Sequence, residues 1–123
     1  MKKELQIKKL LEQIGRPYEM FNDDGTYQGC FYPLQFLYPE LPKYNLPENE
    51  NQFEFGMQKI KEHCKPVHPA NLETGDIIAL NFKGVLHIAI YFEYGKIIHV
   101  FKNHTLEIGR LKMFKNFQSF RVI

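Results

Sequence analysis

Residues 86–100, which read LHIAIYFEYGKIIHV, decide the fold of this chain. Apolar residues dominate both halves of the stretch, and His87 and His99 each interrupt one half. The alternation has a period of two, which is typical of β-strands, and the central Tyr94-Gly95 pair is a turn signal. The stretch therefore predicts a β-hairpin that brings one histidine back beside the other.

The length of the hairpin loop determines whether the two histidines share a face of the sheet. With a two-residue loop, 94–95, His87 and His99 point to opposite faces. With a three-residue loop, 93–95, His99 lies opposite Ala89 and diagonal to His87, with Cα atoms roughly 7–8 Å apart. The residues alone leave both registers open.

A cysteine upstream of this pair indicates catalysis by a thiol nucleophile. Cys30 is expected at the start of a helix that runs to about Tyr38, because Pro33 is tolerated only in a first helical turn. The helix dipole would lower the pKa of the thiol and favour the thiolate. His87 would then be the base and His99 the group that orients it. The alternative is a buried structural cysteine and two structural histidines.

The other cysteine and its neighbours indicate structure rather than chemistry. Cys64 lies on the apolar stripe of a predicted helix, where a buried structural role is expected. His63 and His68 lie near it, but no second ligand pair with structural-zinc spacing is present, so no metal is expected. Two cysteines do not make a disulfide framework. No cofactor is expected.

Several blocks resemble the NlpC/P60 family of peptidoglycan cysteine peptidases. Residues 87–91 (HIAIY) are similar to the family's histidine strand, and residues 95–99 (GKIIH) to the strand that follows it. Residues 72–78 (LETGDII) resemble the entry into its first strand, and residues 14–18 (IGRPY) an element upstream of its nucleophile. The cysteine block, 29–34 (GCFYPL), differs: no aspartate precedes the thiol, and bulky residues replace a small pair.

The resemblance covers roughly residues 4–123. It implies a papain-like α+β fold and the activity of a cysteine peptidase. Cys30 would attack an amide carbonyl in a peptidoglycan stem peptide, and His87 would protonate the leaving amine. The resemblance favours the register in which His99 shares the face of His87 and fixes its tautomer. It also implies that the hydroxyl of Tyr18 helps to stabilise the oxyanion; the alternative for Tyr18 is aromatic packing.

Patterning along the chain predicts helices followed by strands, hence an α+β domain with an antiparallel sheet of about five strands. We expect one domain, 1–123, with a helical half at about 1–69 and a sheet half at about 70–123. The predicted helices are 3–14, 30–38 and 51–64. The predicted strands are 76–82, 85–93, 96–102, 105–111 and 117–122. Residues 39–50, which contain three prolines, are expected to form an irregular loop.

Composition restricts the partners. With 123 residues, 44% of them apolar and 24% charged, and a net charge of +2, the chain is an ordinary globular domain. No run of like charges indicates nucleic acid, and no apolar stretch indicates a signal peptide or membrane partner. The chain is expected to be made in the cytoplasm and, if free, to be monomeric. Action on cell wall would require delivery, for example by a phage particle, with a virion or tail partner, or by lysis.

Two rival functions stay open at this stage. An amidase, deamidase or acyltransferase would use the same catalytic residues, and the bulky Phe31-Tyr32 pair keeps this rival in view. The other rival is a non-catalytic binding or structural module, such as a part of a virion. The complete set of Cys30, His87 and His99 argues against the second rival.

Overall fold

The computed structural model describes residues 2–45 and 51–123. Their helices are α1 (Lys2–Leu11), α2 (Tyr32–Leu37) and α3 (Gln52–His63). Their strands are β1 (Cys64–Pro66), β2 (Ile77–Phe82), β3 (Val85–Phe92), β4 (Lys96–His99), β5 (Glu107–Arg110) and β6 (Gln118–Val122). The strands form one sheet in the order β1-β6-β2-β3-β4-β5, and every neighbouring pair is antiparallel. The predicted α+β class is confirmed.

The sheet separates two apolar clusters, because successive side chains of a strand point to opposite faces. The larger cluster lies under the helices and includes Leu10, Phe31, Leu34, Met57, Ile60, Ile88, Ile90 and Ile98. The smaller cluster lies on the opposite face and is formed by Ile78, Leu80, Ala89 and Ile97. His87 and His99 alternate with Ile88 and Ile98, so they belong to the face of the smaller cluster.

Helix α3 packs directly against β3, the strand that carries His87. A Cβ atom added to Gly56 would lie 2.5 Å from Cδ2 of Leu86, which is closer than real Cβ atoms approach. Glycine at this position therefore allows the helix to lie close to the strand. The packing holds the beginning of β3 in place from the helical side.

The segment after α1 is joined to the chain between β4 and β5. The N–H of Gly15 donates to the carbonyl of Leu106 over 2.8 Å, and the N–H of Leu106 donates to the carbonyl of Arg16. The N–H of Tyr18 donates to the carbonyl of His104 over 2.9 Å. This short ladder brings Tyr18 from the helical half to the end of the sheet where β4 finishes.

The glycine-aspartate pair before β2 has a structural role. Asp76 is fully buried and accepts two hydrogen bonds from Arg121, at 2.9 Å from Nε and 2.8 Å from Nη2. It also accepts a hydrogen bond from the N–H of Glu73. A buried carboxylate with this many donors is satisfied, so Asp76 ties the entry of β2 to β6.

The structure corrects several predicted boundaries. The sheet has a sixth strand, β1, which pairs with β6 where we expected only the end of a helix. Helix α1 ends at Leu11 rather than near residue 14, and β4 ends at His99 rather than at residue 102. Part of the predicted loop 39–50, residues 46–50, lies outside the described residues. In the described ranges, no helix has the length and apolar character needed to cross a bilayer.

Candidate active site

The two histidines of the β3–β4 hairpin are in direct contact. Ile90 pairs with Ile98 and Phe92 with Lys96, which leaves the three-residue loop 93–95 and confirms the same-face register. Gly95 adopts a φ of 75° in that loop, a conformation that glycine reaches without strain.

The contact itself is a hydrogen bond between ring nitrogens. Nε2 of His87 lies 3.0 Å from Nδ1 of His99, and both side chains are buried. In such a pair one ring donates and the other accepts, so the tautomers of the two imidazoles are coupled. The other ring nitrogen of His87, Nδ1, takes no part in this hydrogen bond.

Aromatic rings enclose the pair and keep both imidazoles neutral. The ring of Phe101 stacks on His87 with centroids 4.4 Å apart, and Phe114 packs at the edge of His99. Burial, followed by the proximity of His99, lowers the pKa of His87 to about 3. Burial also lowers the pKa of His99, and the nearby carboxylate of Glu107 partly opposes that effect.

Cys30 occupies a gap at the edge of β3. It lies in a short 3₁₀ turn, Gly29–Phe31, that leads into α2, and only 6% of its surface is exposed. Its Sγ donates a hydrogen bond to the carbonyl of Leu86 over 3.1 Å, and the N–H of Ile88 donates to Sγ. The gap exists because β4 pairs with β3 only at residues 90–92. The thiol therefore forms hydrogen bonds with two backbone groups of β3 that have no partner in β4.

The prediction of a depressed thiol pKa is wrong for this conformation. Burial raises the pKa of Cys30 to about 11, and hydrogen bonds from the N–H of Ile88 and the hydroxyl of Tyr27 only partly oppose it. The expected helix dipole is weak, because α2 has six residues and begins two positions after Cys30. Cys30 is also part of the larger apolar cluster. At neutral pH this site holds a thiol and a neutral imidazole.

Tyr27, which the sequence did not indicate, is the tyrosine in contact with the thiol. Its hydroxyl lies 4.0 Å from Sγ of Cys30. A Cβ atom on Gly29 would lie 2.1 Å from the same hydroxyl, so glycine before the cysteine makes room for Tyr27. Tyr18 is half-buried and interacts with Tyr27 through its hydroxyl; burial raises its pKa. Tyr18 is thus in contact with Tyr27, and the role of Tyr18 in oxyanion stabilisation stays a prediction.

The structure brings Cys30, His87 and His99 to one end of β3 but leaves one link unmade. Among the residues that the structure describes, Sγ of Cys30 has no hydrogen bond to either imidazole, and it reaches His87 only through the carbonyl of the preceding residue. Cys64 is buried, as expected, and burial raises its pKa to about 11. No group of metal-binding side chains occurs in the described ranges.

Comparison with known proteins identifies the fold. No family model matches the sequence, and no curated protein sequence matches it. One similar solved structure is RipD from Mycobacterium tuberculosis, described as a non-catalytic NlpC/p60 domain protein adapted to peptidoglycan binding. Its TM-score is 0.66 at 18% identity, and the match covers 100% of this chain and 98% of that chain.

A second similar structure is the NlpC/p60 domain of the peptidoglycan hydrolase SagA, with a TM-score of 0.62 at 16% identity. This match covers 92% of this chain and 93% of that chain. The chain therefore has the fold of NlpC/p60 domains, and the resemblance read from the sequence is confirmed for the fold. One neighbour is described as a hydrolase and the other as non-catalytic, so the fold by itself does not assign catalysis.

Proposed function

We propose that this chain acts on peptidoglycan as a cysteine hydrolase that cleaves an amide bond of a stem peptide. The observation that supports this best is the 3.0 Å contact between Nε2 of His87 and Nδ1 of His99. It fixes one nitrogen of the base and leaves Nδ1 for a thiol held at the adjacent residue, Leu86. Nucleophile, base and orienting group are thus gathered at one end of a strand.

The reaction requires the Cys30 side chain to exchange the carbonyl of Leu86 for Nδ1 of His87. As Sγ bonds to the substrate carbonyl carbon, its proton passes to Nδ1, which matches a neutral starting pair. The imidazolium of His87 then gives that proton to the leaving amine as the C–N bond breaks, which leaves a thioester on Cys30. Water next gives a proton to Nδ1 as it attacks the thioester, and the released sulfur takes that proton back.

Stabilisation of the oxyanion falls to groups beside the thiol. The hydroxyl of Tyr27 lies 4.0 Å from Sγ, close enough to donate to an oxyanion that forms on the attacked carbon. Tyr18 would act through its interaction with Tyr27. An amidase, deamidase or acyltransferase would use the same groups, so identification of the products separates these reactions from peptide cleavage.

A second candidate function is peptidoglycan binding without catalysis. It is favoured by the raised pKa of Cys30 and by the hydrogen bond that ties its Sγ to the backbone. The description of RipD as a non-catalytic peptidoglycan-binding domain gives a precedent on the same fold. Delivery by a phage particle or by lysis, with a virion or tail partner, stays a prediction under either function.

Incubation with purified sacculi separates the two candidates. The parent, Cys30→Ala and the matched variant Cys64→Ala are compared for released muropeptides, analysed by mass spectrometry, and for protein retained on the pellet. We expect stem-peptide cleavage by the parent and Cys64→Ala, and retention without release by Cys30→Ala. Retention without release by the folded parent would favour the binding module; a parent that neither binds nor cleaves would exclude both.

A further inference from the structure

Strand β5 places one carboxylate and one glycine around the outer nitrogen of His99. His99 and Glu107 are direct partners across the β4–β5 ladder, and Ile97 and Gly109 are the next partners on the same face. Residues that are opposite or diagonal on one face are close enough for their side chains to interact. The second imidazole of the hairpin is therefore bordered by β5, and its environment depends on what β5 carries at these two positions.

Gly109 provides the space that His99 occupies. A Cβ atom at this position would lie 2.7 Å from Nε2 of His99, which is closer than real Cβ atoms approach, and 3.4 Å from its Cδ2. The backbone of Gly109 does not have the positive φ that would by itself require glycine. The glycine is needed here for space: the imidazole of His99 lies over the position where a side chain would stand.

Glu107 faces the same nitrogen. Its Oε1 lies 3.7 Å from Nε2 of His99, and about half of the Glu107 side chain remains exposed. A carboxylate only accepts hydrogen bonds, so its field favours the tautomer that carries a proton on Nε2. Nδ1 of His99 is then a lone pair, and it can only accept the hydrogen bond at 3.0 Å from Nε2–H of His87.

We propose that Glu107 is a positioning residue that sets the tautomer of His99 and, through it, that of His87. In this arrangement both imidazoles carry their proton on Nε2, and Nδ1 of His87 is the free base that the thiol of Cys30 needs. The proposal rests on the proposed hydrolase function for its consequence in catalysis. The tautomers themselves are a property of the folded protein, with or without activity.

Two-bond proton–nitrogen NMR of protein with isotope-labelled histidine measures these tautomers directly. We expect Nε2–H for both His87 and His99 in the parent, and a mixture of tautomers at both in Glu107→Ala. Glu107→Gln, which keeps an acceptor without the charge, should lie between the two. The matched control is Glu93→Ala, which removes an exposed carboxylate from the hairpin loop and should leave both tautomers unchanged.

Gly109→Ala gives a second test with the carboxylate intact. Its Cβ should displace His99 and break the contact with His87, which again mixes the tautomers in a folded protein. If the parent hydrolyses peptidoglycan, Glu107→Ala should reduce kcat/KM by roughly two- to fivefold with little change in KM, because a half-exposed carboxylate has a screened and therefore modest effect.

The proposal is overturned by Nδ1–H on His99 in the parent, or by tautomers that do not change in Glu107→Ala. Failure of the hydrolase function is a separate result, because the tautomers of both histidines can be measured equally well in an inactive parent. The two failures are therefore distinguishable in one set of samples.

Discussion

Burial sets the chemical state of the residues gathered at the end of β3. Desolvation penalises charge on both partners, so it raises the pKa of Cys30 to about 11 and lowers that of His87 to about 3. A thiolate–imidazolium pair is therefore disfavoured in this state, although the thiol of Cys30 contacts the residue next to His87. Catalysis by this site would use a proton transfer concerted with attack rather than a preformed ion pair.

The first prediction concerns alkylation of the two cysteines. Because both thiols have a pKa of about 11, iodoacetamide should modify Cys30 and Cys64 slowly at pH 7. The rate should rise steadily with pH and still be rising at pH 10, whereas the urea-unfolded control levels off above its ordinary pKa near 8.5. Rapid labelling of Cys30 that reaches a plateau near pH 7 would show an activated thiolate and refute the buried, neutral state.

Secondary-structure elements differ in how well the sequence predicts them. The β3–β4 hairpin was predictable as a hairpin, because alternation is a local property. Its residues left two registers open, and only the resemblance to the NlpC/P60 strands favoured the observed one. Strand β1 was missed because it has three residues and includes a proline, and it exists only by pairing with β6 near the other end of the chain. Its formation depends on tertiary context rather than on a local pattern.

The candidate site was predictable only in part for the same reason. His87 and His99 are brought together by one hairpin, so their contact was predictable once the three-residue loop was assumed. The docking of Cys30 depends on where β4 stops pairing with β3, which no local pattern reveals. Tyr27 and Glu107 gave no local signal either. The glycines were a hint, since Gly29 makes room for the ring of Tyr27 and Gly109 makes room for the ring of His99.

Over the whole molecule, the same desolvation couples folding to pH. Folding holds His87 and His99 neutral, whereas in the unfolded chain each takes up a proton near its ordinary pKa of 6.5. The unfolded state therefore binds more protons below that pH, and stability is lost as pH falls below about 6.5, for His87 down to about pH 3. Each histidine contributes at most about 1.4 kcal/mol per pH unit in this window.

Urea denaturation between pH 7.5 and pH 5 tests this coupling. We expect the free energy of unfolding of the parent to decrease as the pH is lowered below about 6.5. The free energy of unfolding of His87→Phe should decrease less steeply, because the substitution removes one titrating group and leaves an aromatic side chain in its place. The matched control is His68→Asn at an exposed histidine, because asparagine can accept the same hydrogen bond from the N–H of Ala70. Equal slopes for the parent and His87→Phe would mean that the buried imidazole is not held neutral by folding.

The chain has the fold of NlpC/p60 domains, and the chemistry of one side chain separates the two proposed functions. If the protein is a cysteine hydrolase, the thiol of Cys30 leaves the backbone of β3 during turnover and forms a bond to substrate. A binding module would keep the hydrogen bond between Sγ and Leu86 throughout. The distinction is a covalent bond, which can be observed directly.

The most direct measurement is peptide mapping by mass spectrometry after an acid quench of the protein reacting with a stem peptide. We predict an acyl adduct on Cys30 in the parent and in Cys64→Ala, and none in Cys30→Ala. If product forms while the acyl group is found on Cys64 or on neither cysteine, Cys30 is not the nucleophile. A folded parent that binds the peptide and shows neither adduct nor product would contradict the proposed hydrolase function.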